Sequence, residues 1–211
     1  MLLWLVGVFV LVSWPGGQAG DAQAQPSPAE VFELHLGGRV YEVSLDRPFT
    51  LVTPAGERVE LVLRRREVLR YETPELAFDY PAALRLHREI ESGITTLTLE
   101  GVASPFVLIQ LYPGSPAAAD ILANLVAAFL DEYAGRQAQF LSGNNTPVSR
   151  LMGGHSRDGR QLRFRLAGQE MVTEIYAFAK PNAVVAVVLQ HDTAEASLAE
   201  RYFAIVTRRL Q

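Results

Sequence analysis

Glu33, His35 and Glu42 are the residues of this chain whose types and spacing come nearest to a reactive or metal-holding cluster. Gly37-Gly38 separates two runs of alternating apolar residues and favours a two-residue turn in which both positions take positive φ. In that register Leu36 pairs with Arg39, Leu34 with Tyr41 and Phe32 with Val43. Glu33 then lies opposite Glu42, with His35 next along the same face. Two carboxylates and an imidazole in that arrangement suit a divalent cation or a metal-dependent hydrolase. Without a cation, opposed carboxylates cost stability unless a neighbour such as Arg39 neutralises them.

A second chemistry is carried by arginine. Arg163 and Arg165 flank Phe164 and share one sheet face, and Arg64 and Arg66 share a face of their own strand. Guanidinium forks in such pairs hold carboxylates or phosphates bidentately, which makes these four the candidate anion- or partner-binding residues. The plainer reading pairs them with Glu60, Glu67, Glu170 and Glu174 on a solvated surface. Other reactive signatures are missing. The histidines His35, His87, His155 and His191 show no His-Glu-x-x-His spacing, and the single lysine, Lys180, precedes Pro181 and forms no Ser-x-x-Lys pair. Gly114-Ser115-Pro116 is not a nucleophile elbow, and Ser115 reads as a helix cap. With no cysteine in 211 residues, thiol catalysis, iron–sulfur clusters, cysteine-type zinc sites and disulfides are excluded. No catalytic, cofactor-binding or metal residue is therefore assigned, and no cofactor is expected.

Composition places the protein before it assigns it a role. Both tryptophans, Trp4 and Trp14, fall beside or within an apolar run from Leu2 to Val12, shorter than the roughly 20 residues a membrane-spanning helix needs. Ser13-Trp14-Pro15-Gly16-Gly17 stops that run, and Ala22-Gln23-Ala24 is a small-residue cleavage pattern. Residues 1–24 read as a secretory signal peptide, although its start carries no Lys or Arg; a buried N-terminal helix or a short uncleaved anchor is the alternative. The expected location is periplasmic or extracellular, with no stable membrane span after processing. Loss of residues 1–24 takes Asp21 from the 23 acidic residues and leaves the 19 basic ones, so 187 residues remain with a charge of −3. That balance offers no electrostatic footprint for nucleic acid.

Beyond a Pro/Ser/Ala spacer at 25–30, residues 31–73 read as an N-terminal β-hairpin subdomain. A hairpin follows from Phe49–Thr53 and Glu57–Leu63, and its second strand extends through Arg64-Arg65-Arg66 to Tyr71. Thr73-Pro74 marks the boundary of a second domain, 74–211. There Leu76–Tyr80 is a strand, Leu84–Ile90 and Ile94–Leu99 form a hairpin at Ser92-Gly93, and Val102–Tyr112 reads as a central strand covered on both faces. A helix capped by Ser115 carries Ile121, Leu122, Leu125, Val126, Phe129 and Tyr133 on one stripe and ends at Gly135. Asp158-Gly159 predicts a hairpin that pairs Arg157 with Arg160, Leu151 with Leu166 and His155 with Leu162. Met171–Ala179 and Ala183–Gln190 form another hairpin. The last helix opens on Asp192 and Glu195 in capping-box spacing and presents Leu198, Tyr202, Ile205, Val206 and Leu210. The fold class is α+β, a mainly antiparallel sheet packed by two helices.

With Leu76-Ala77-Phe78-Asp79-Tyr80-Pro81, a strand ending at Tyr112-Pro113, the helix to Tyr133, the pair Arg163 and Arg165, and Glu174-Ile175-Tyr176-Ala177-Phe178 before the last strand and helix, residues 74–211 resemble the PsbP-like α/β/α sandwich superfamily, which includes bacterial exported proteins of the DcrB and LpqN types. The resemblance implies a non-catalytic assembly, stabilising or binding factor, here an exported accessory protein acting through a surface on another envelope or extracellular protein. It transfers no functional residue. The alternatives are a hydrolase or metal-dependent enzyme built on Glu33, His35 and Glu42, and a small-ligand carrier with a pocket between the sheet and the helix after Pro116. N-terminal sequencing of the exported protein is expected to start at Gln25, with tyrosine-dominated fluorescence; a retained Met1 together with a tryptophan emission band overturns the signal-peptide reading.

Overall fold

Gly37 and Gly38 adopt φ of 56° and 75°, the left-handed values that a two-residue primed turn requires at both positions. The computed structural model describes residues 31–53 and 55–210; the expected signal peptide and spacer lie outside them. The chain forms two units, the first ending at Arg65 and the second beginning at Arg66. No described helix is long and apolar enough to cross a membrane.

In the first unit β1 (Val31–Leu36) and β2 (Arg39–Ser44) pair in the expected register, with Phe32 opposite Val43, Glu33 opposite Glu42 and Leu34 opposite Tyr41. β3 (Pro48–Val52) and β4 (Arg58–Val62) form the second hairpin, with Phe49 opposite Leu61 and Leu51 opposite Val59. A parallel bridge between Leu45 and Leu63, with the Asp46 amide donating to the Leu63 carbonyl at 2.8 Å, ties the two hairpins together. The strand expected to run on to Tyr71 does not. β5 (Val68–Glu72) pairs instead with β6 (Ala77–Pro81) in the second unit, where Tyr71 stacks on the fully buried Phe78 at 5.3 Å between ring centres.

The second unit continues with β7 (Arg85–Glu91), β8 (Ile94–Glu100), β9 (Phe106–Pro113), α1 (Ala118–Gly135), β10 (Gln139–Phe140), β11 (Thr146–Met152), β12 (His155–Leu166), β13 (Gln169–Lys180), β14 (Ala183–Asp192) and α2 (Ala196–Arg208). They build one antiparallel sheet in the order β10-β12-β13-β14-β9-β8-β7, with β11 also on β12. β14 lies at its centre. Val184, Ala186 and Val188 face α1, packing with Ile121, Leu125, Val126 and Tyr133. Val185, Val187 and Leu189 face the opposite way, toward Phe203, Val206 and Leu210 of the C-terminal segment and Phe78 of β6. Helix, sheet, and helix with hairpin are three layers, the α+β sandwich that the order of elements predicted.

Several local expectations are corrected. The apolar run from Val102 enters the sheet only at Phe106, and Val102 itself is fully exposed in the preceding bend. Asp158-Gly159 is not a turn. The chain reverses at Gly153-Gly154, with φ of 55° and 82°, and again at Ala167-Gly168, so that Met152 pairs with His155, Leu151 with Ser156 and Leu166 with Gln169. β12 passes straight through Gly159, which lies opposite Tyr176; a Cβ there would overlap the Tyr176 ring and the Ile175 carbonyl. α1 starts at Ala117 without a side-chain cap, so Ser115 does not cap it. On α2 the buried stripe is Ala199, Phe203, Val206 and Thr207, rotated from the predicted one. α1 packs directly on the sheet through its apolar stripe.

Two substitutions separate these turn and packing effects. Gly159→Ala forces the strand away from Tyr176 and is expected to cost about 1–3 kcal/mol in chemical denaturation. Ala167 holds a φ of 51°, which is unfavourable for a residue with a Cβ, so Ala167→Gly is expected to stabilise by up to about 1 kcal/mol.

Candidate functional site

A carboxylate among largely buried strand residues needs a partner, and Glu174 in the Met171 to Phe178 run of β13 is such a residue. Its side chain faces α2, beside the fully buried Tyr176. Arg150, on β11, donates from Nε to Glu174 Oε2 at 2.9 Å and from Nη1 and Nη2 to the two carboxylate oxygens of Glu200 on α2 at 3.0 and 2.9 Å. The Tyr176 hydroxyl donates to Glu174 Oε2 at 2.7 Å. The guanidinium carbon also lies 5.8 Å from the centre of the Phe203 ring. Three elements are thus joined through one fork.

The electrostatics follow from this arrangement. Burial lowers the Arg150 guanidinium, but its hydrogen bonds to Glu200 and Glu174 outweigh that and hold it above the ordinary arginine value. Burial, then the hydrogen bond to Glu174, pushes the Tyr176 phenol upward. The hydrogen bond from Arg150 holds Glu200 below the usual carboxylate range. A phenol and an arginine so shifted keep their protons at neutral pH, so the cluster binds the sheet to α2 and is poorly suited to proton transfer. A second polar pair lies under α1, where Tyr133 donates to Gln190 Oε1 at 2.6 Å and burial pushes its phenol up to about 12.

The start of α2 is anchored in a related way. Asp192 accepts from the Ala194 amide at 2.8 Å, as a cap does. Glu195 does not reach back to complete the predicted capping box; it accepts from the Ser104 amide at 2.6 Å, and the Ser104 hydroxyl accepts from the Asp192 amide at 3.0 Å. His191 is buried, its Nδ1 2.9 Å from the Asp192 carbonyl and its ring 5.9 Å from that of Phe203.

The residues singled out from sequence fall as follows. Glu33 and Glu42 are opposed as expected, and His35 Nε2 lies 3.3 Å from Glu33 Oε2, both side chains well exposed. Among the described residues no group of three His, Asp or Glu side chains is placed to hold a metal ion, so the expected three-residue cluster is not formed. Arg163 and Arg165 share a face, and Glu170 lies 2.7 Å from Arg163 Nη2 and 4.0 Å from Arg165 Nη2. Both sheet faces carry core, and these arginines are solvated because they stand near the turn at Ala167-Gly168. Arg64 and Arg66 lie outside any strand, one in each unit. His155 pairs with Met152 and is exposed, and His87 lies 3.4 Å from Glu100 Oε1. The Arg150 cluster was missed in the sequence; its one legible sign was a lone glutamate in the run Met171 to Phe178. On the α1 side of β11 and β12 there is also an open groove lined by Leu122, Pro147, Ser149, Asp158 and Arg160.

No family model matches this chain, and no curated protein does. Among solved structures the chain is similar to cyanobacterial PsbP (CyanoP) from Synechocystis, at 11% identity over 69% of this chain and 92% of that one, with a TM-score of 0.48. It is similar also to LpqN of Mycobacterium tuberculosis, a protein involved in cell envelope biogenesis, at 13% identity over 69% and 91% with a TM-score of 0.42. A protein of Bacteroides thetaiotaomicron aligns at 10% identity over 67% of this chain and 47% of its own length, with a TM-score of 0.41. PsbP and LpqN are the neighbours that the PsbP-like order of elements pointed to; the likeness is one of chain trace.

Arg150→Met keeps much of the stem's packing but leaves Glu174 buried without its cation, and is expected to cost about 3 kcal/mol, against less than about 1 kcal/mol for Glu200→Gln at the more exposed end. Because Glu200 is held below its unfolded value, its share of stability is present at neutral pH and is lost as pH falls below about 4.3. Melting temperature followed from pH 7 to pH 3 is expected to fall less steeply in Glu200→Gln than in the parent protein.

Proposed function

We propose that the protein is an exported, non-catalytic accessory factor that binds another envelope or extracellular protein through a surface of its first unit. The observation that supports this most is where large apolar side chains meet solvent. Phe32, Leu36, Val40, Val52, Val59, Val62 and Leu63 are all exposed, and they make up seven of the twelve exposed large hydrophobics among the described residues. Among the described residues of this unit only Val43 and Leu51 are buried. Two-stranded hairpins are marginal without a face to bury, and concentrated exposed apolar surface in a soluble protein marks interaction.

The hairpin registers organise this surface. Phe32 and Leu36 lie on the same face of β1 as Leu34, and across the pair Tyr41 and Val43 continue it. Val59 lies opposite Leu51 on the other hairpin. A partner that covers these side chains removes apolar area from water, the main source of affinity in protein association.

Capture from the envelope fraction tests the reading. The tagged mature protein is expected to enrich a discrete protein partner, and Phe32→Asp with Leu36→Asp is expected to weaken purified complex formation by about tenfold or more, equal to ~1.4 kcal/mol. Circular dichroism must show the second unit still folded. Capture of no partner, or a complex indifferent to both substitutions, overturns the reading.

A further inference from the structure

Among the described residues β11 is an edge strand: it pairs with β12 and with no other strand. The two-residue turn at Gly153-Gly154 makes Met152 and His155 the closing hydrogen-bonded pair. Arg150, Val148 and Thr146 then direct their backbone groups at β12, and Pro147, Ser149 and Leu151 direct theirs outward. The side chains of these last three share the α1 side of the sheet. Leu151 is 66% exposed, the most exposed large apolar residue on any described strand. Two and four residues back on the same face, Ser149 and Pro147 floor the open groove whose wall is Leu122 of α1.

Leu151 and the groove residue Pro147 stand equally far from Ser149, two residues to either side. We propose that β11 is the interface between two copies of this chain, which pair antiparallel about a two-fold axis at Ser149 and continue the sheet from one copy into the other. In this register Ser149 of each copy faces Ser149 of the other and exchanges both backbone hydrogen bonds. Leu151 of each copy lies opposite Pro147 of the other, over the groove. The interface is isologous, as a two-fold pair requires. Pro147 lacks an N–H, which removes one bond at each end, but its carbonyl still accepts from the Leu151 amide of the second copy.

Charge favours this edge and this register. The one charged residue of β11 is Arg150, and its guanidinium is held within its own chain by Glu174 and Glu200. Centred on Ser149, the pairing sets Arg150 against Val148 of the second copy. Centred on Arg150, it would set two guanidiniums against each other. β7, at the other edge of the sheet, carries Arg85, His87, Arg88, Glu89 and Glu91, the kind of charged edge that resists self-pairing. This pairing is independent of the partner proposed for the first unit.

The chain has no cysteine, so one introduced thiol reports the contact cleanly. Opposed residues of a hydrogen-bonded antiparallel pair are about 5.5 Å apart at Cα, within disulfide reach. Light scattering on the full mature chain over about a hundredfold range of concentration is expected to show the mass of a dimer at the upper end. Ser149→Cys is expected to form a covalent dimer under mild oxidation, while Arg88→Cys on β7 stays monomeric. Leu151→Asp is expected to give a monomer with unchanged circular dichroism and with the melting temperature that the parent shows at the dilute end of the range. A parent protein that is monomeric throughout the range overturns the proposal. So does a dimer that Leu151→Asp leaves intact, or cross-linking as efficient at Arg88→Cys as at Ser149→Cys.

Discussion

A strand without a solvent-facing side must be covered on both faces, and β14 is that strand. From Ala183 to Leu189 every side chain is apolar and buried, alternating between the α1 side and the α2 side. One helix cannot satisfy both faces, so two layers are needed. α1 supplies the first, through Ile121, Leu125, Val126 and Tyr133. α2 and β6 supply the second, through Phe203, Val206 and Phe78. The neighbours of β14 share the requirement: β13 buries residues on both faces, and β9 buries Val107 and Ile109 on one face and half-buries Leu108 and Tyr112 on the other. Both cores are built from residues at Tyr71 and beyond, so the second unit holds its own hydrophobic interior.

Two polar clusters reach into that interior, and their members satisfy one another. Arg150 links β11, β13 and α2, and it lets Glu174 lie among apolar neighbours without an unpaired charge. Ser104, Asp192 and Glu195 likewise fasten the approach to β9 to the start of α2. The donors of these clusters point at protein acceptors, which orients the elements and leaves few directions from which a substrate could compete. Packing and hydrogen bonds must hold the fold without a disulfide, because this chain has no cysteine to form one.

The surfaces tell a different story from the interior. Apolar side chains that the second unit would bury remain exposed on the two hairpins of the first, whose strands are too few to enclose them. The sheet edges also differ from one another. β7 is guarded by charge, whereas β11 presents an uncharged outer edge with an exposed leucine. Both features support the proposed binding through surfaces.

Turn chemistry and alternation were readable without the fold, because both depend on residues a few positions apart. Gly37-Gly38 determined the register that opposes Glu33 and Glu42, and the alternating and apolar runs revealed most of the strands and both helices. Asp158-Gly159 carried an equally strong local turn signal, yet the chain turns at Gly153-Gly154. That choice lies with Tyr176, whose ring needs the bare backbone of Gly159 beneath it and sits seventeen residues further along. The Asp192-Glu195 spacing misled for the same reason: Glu195 found a better partner in the Ser104 amide, 91 residues away in sequence. The sequence alone determined the α+β class, the hairpins with glycine turns and the chemistry that a chain without cysteine cannot perform. The tertiary structure alone decided which glycine turns, which face of α2 is buried and that Arg150, Glu174 and Glu200 meet, because each is settled by contacts between residues whose separation along the chain says nothing about their distance in space.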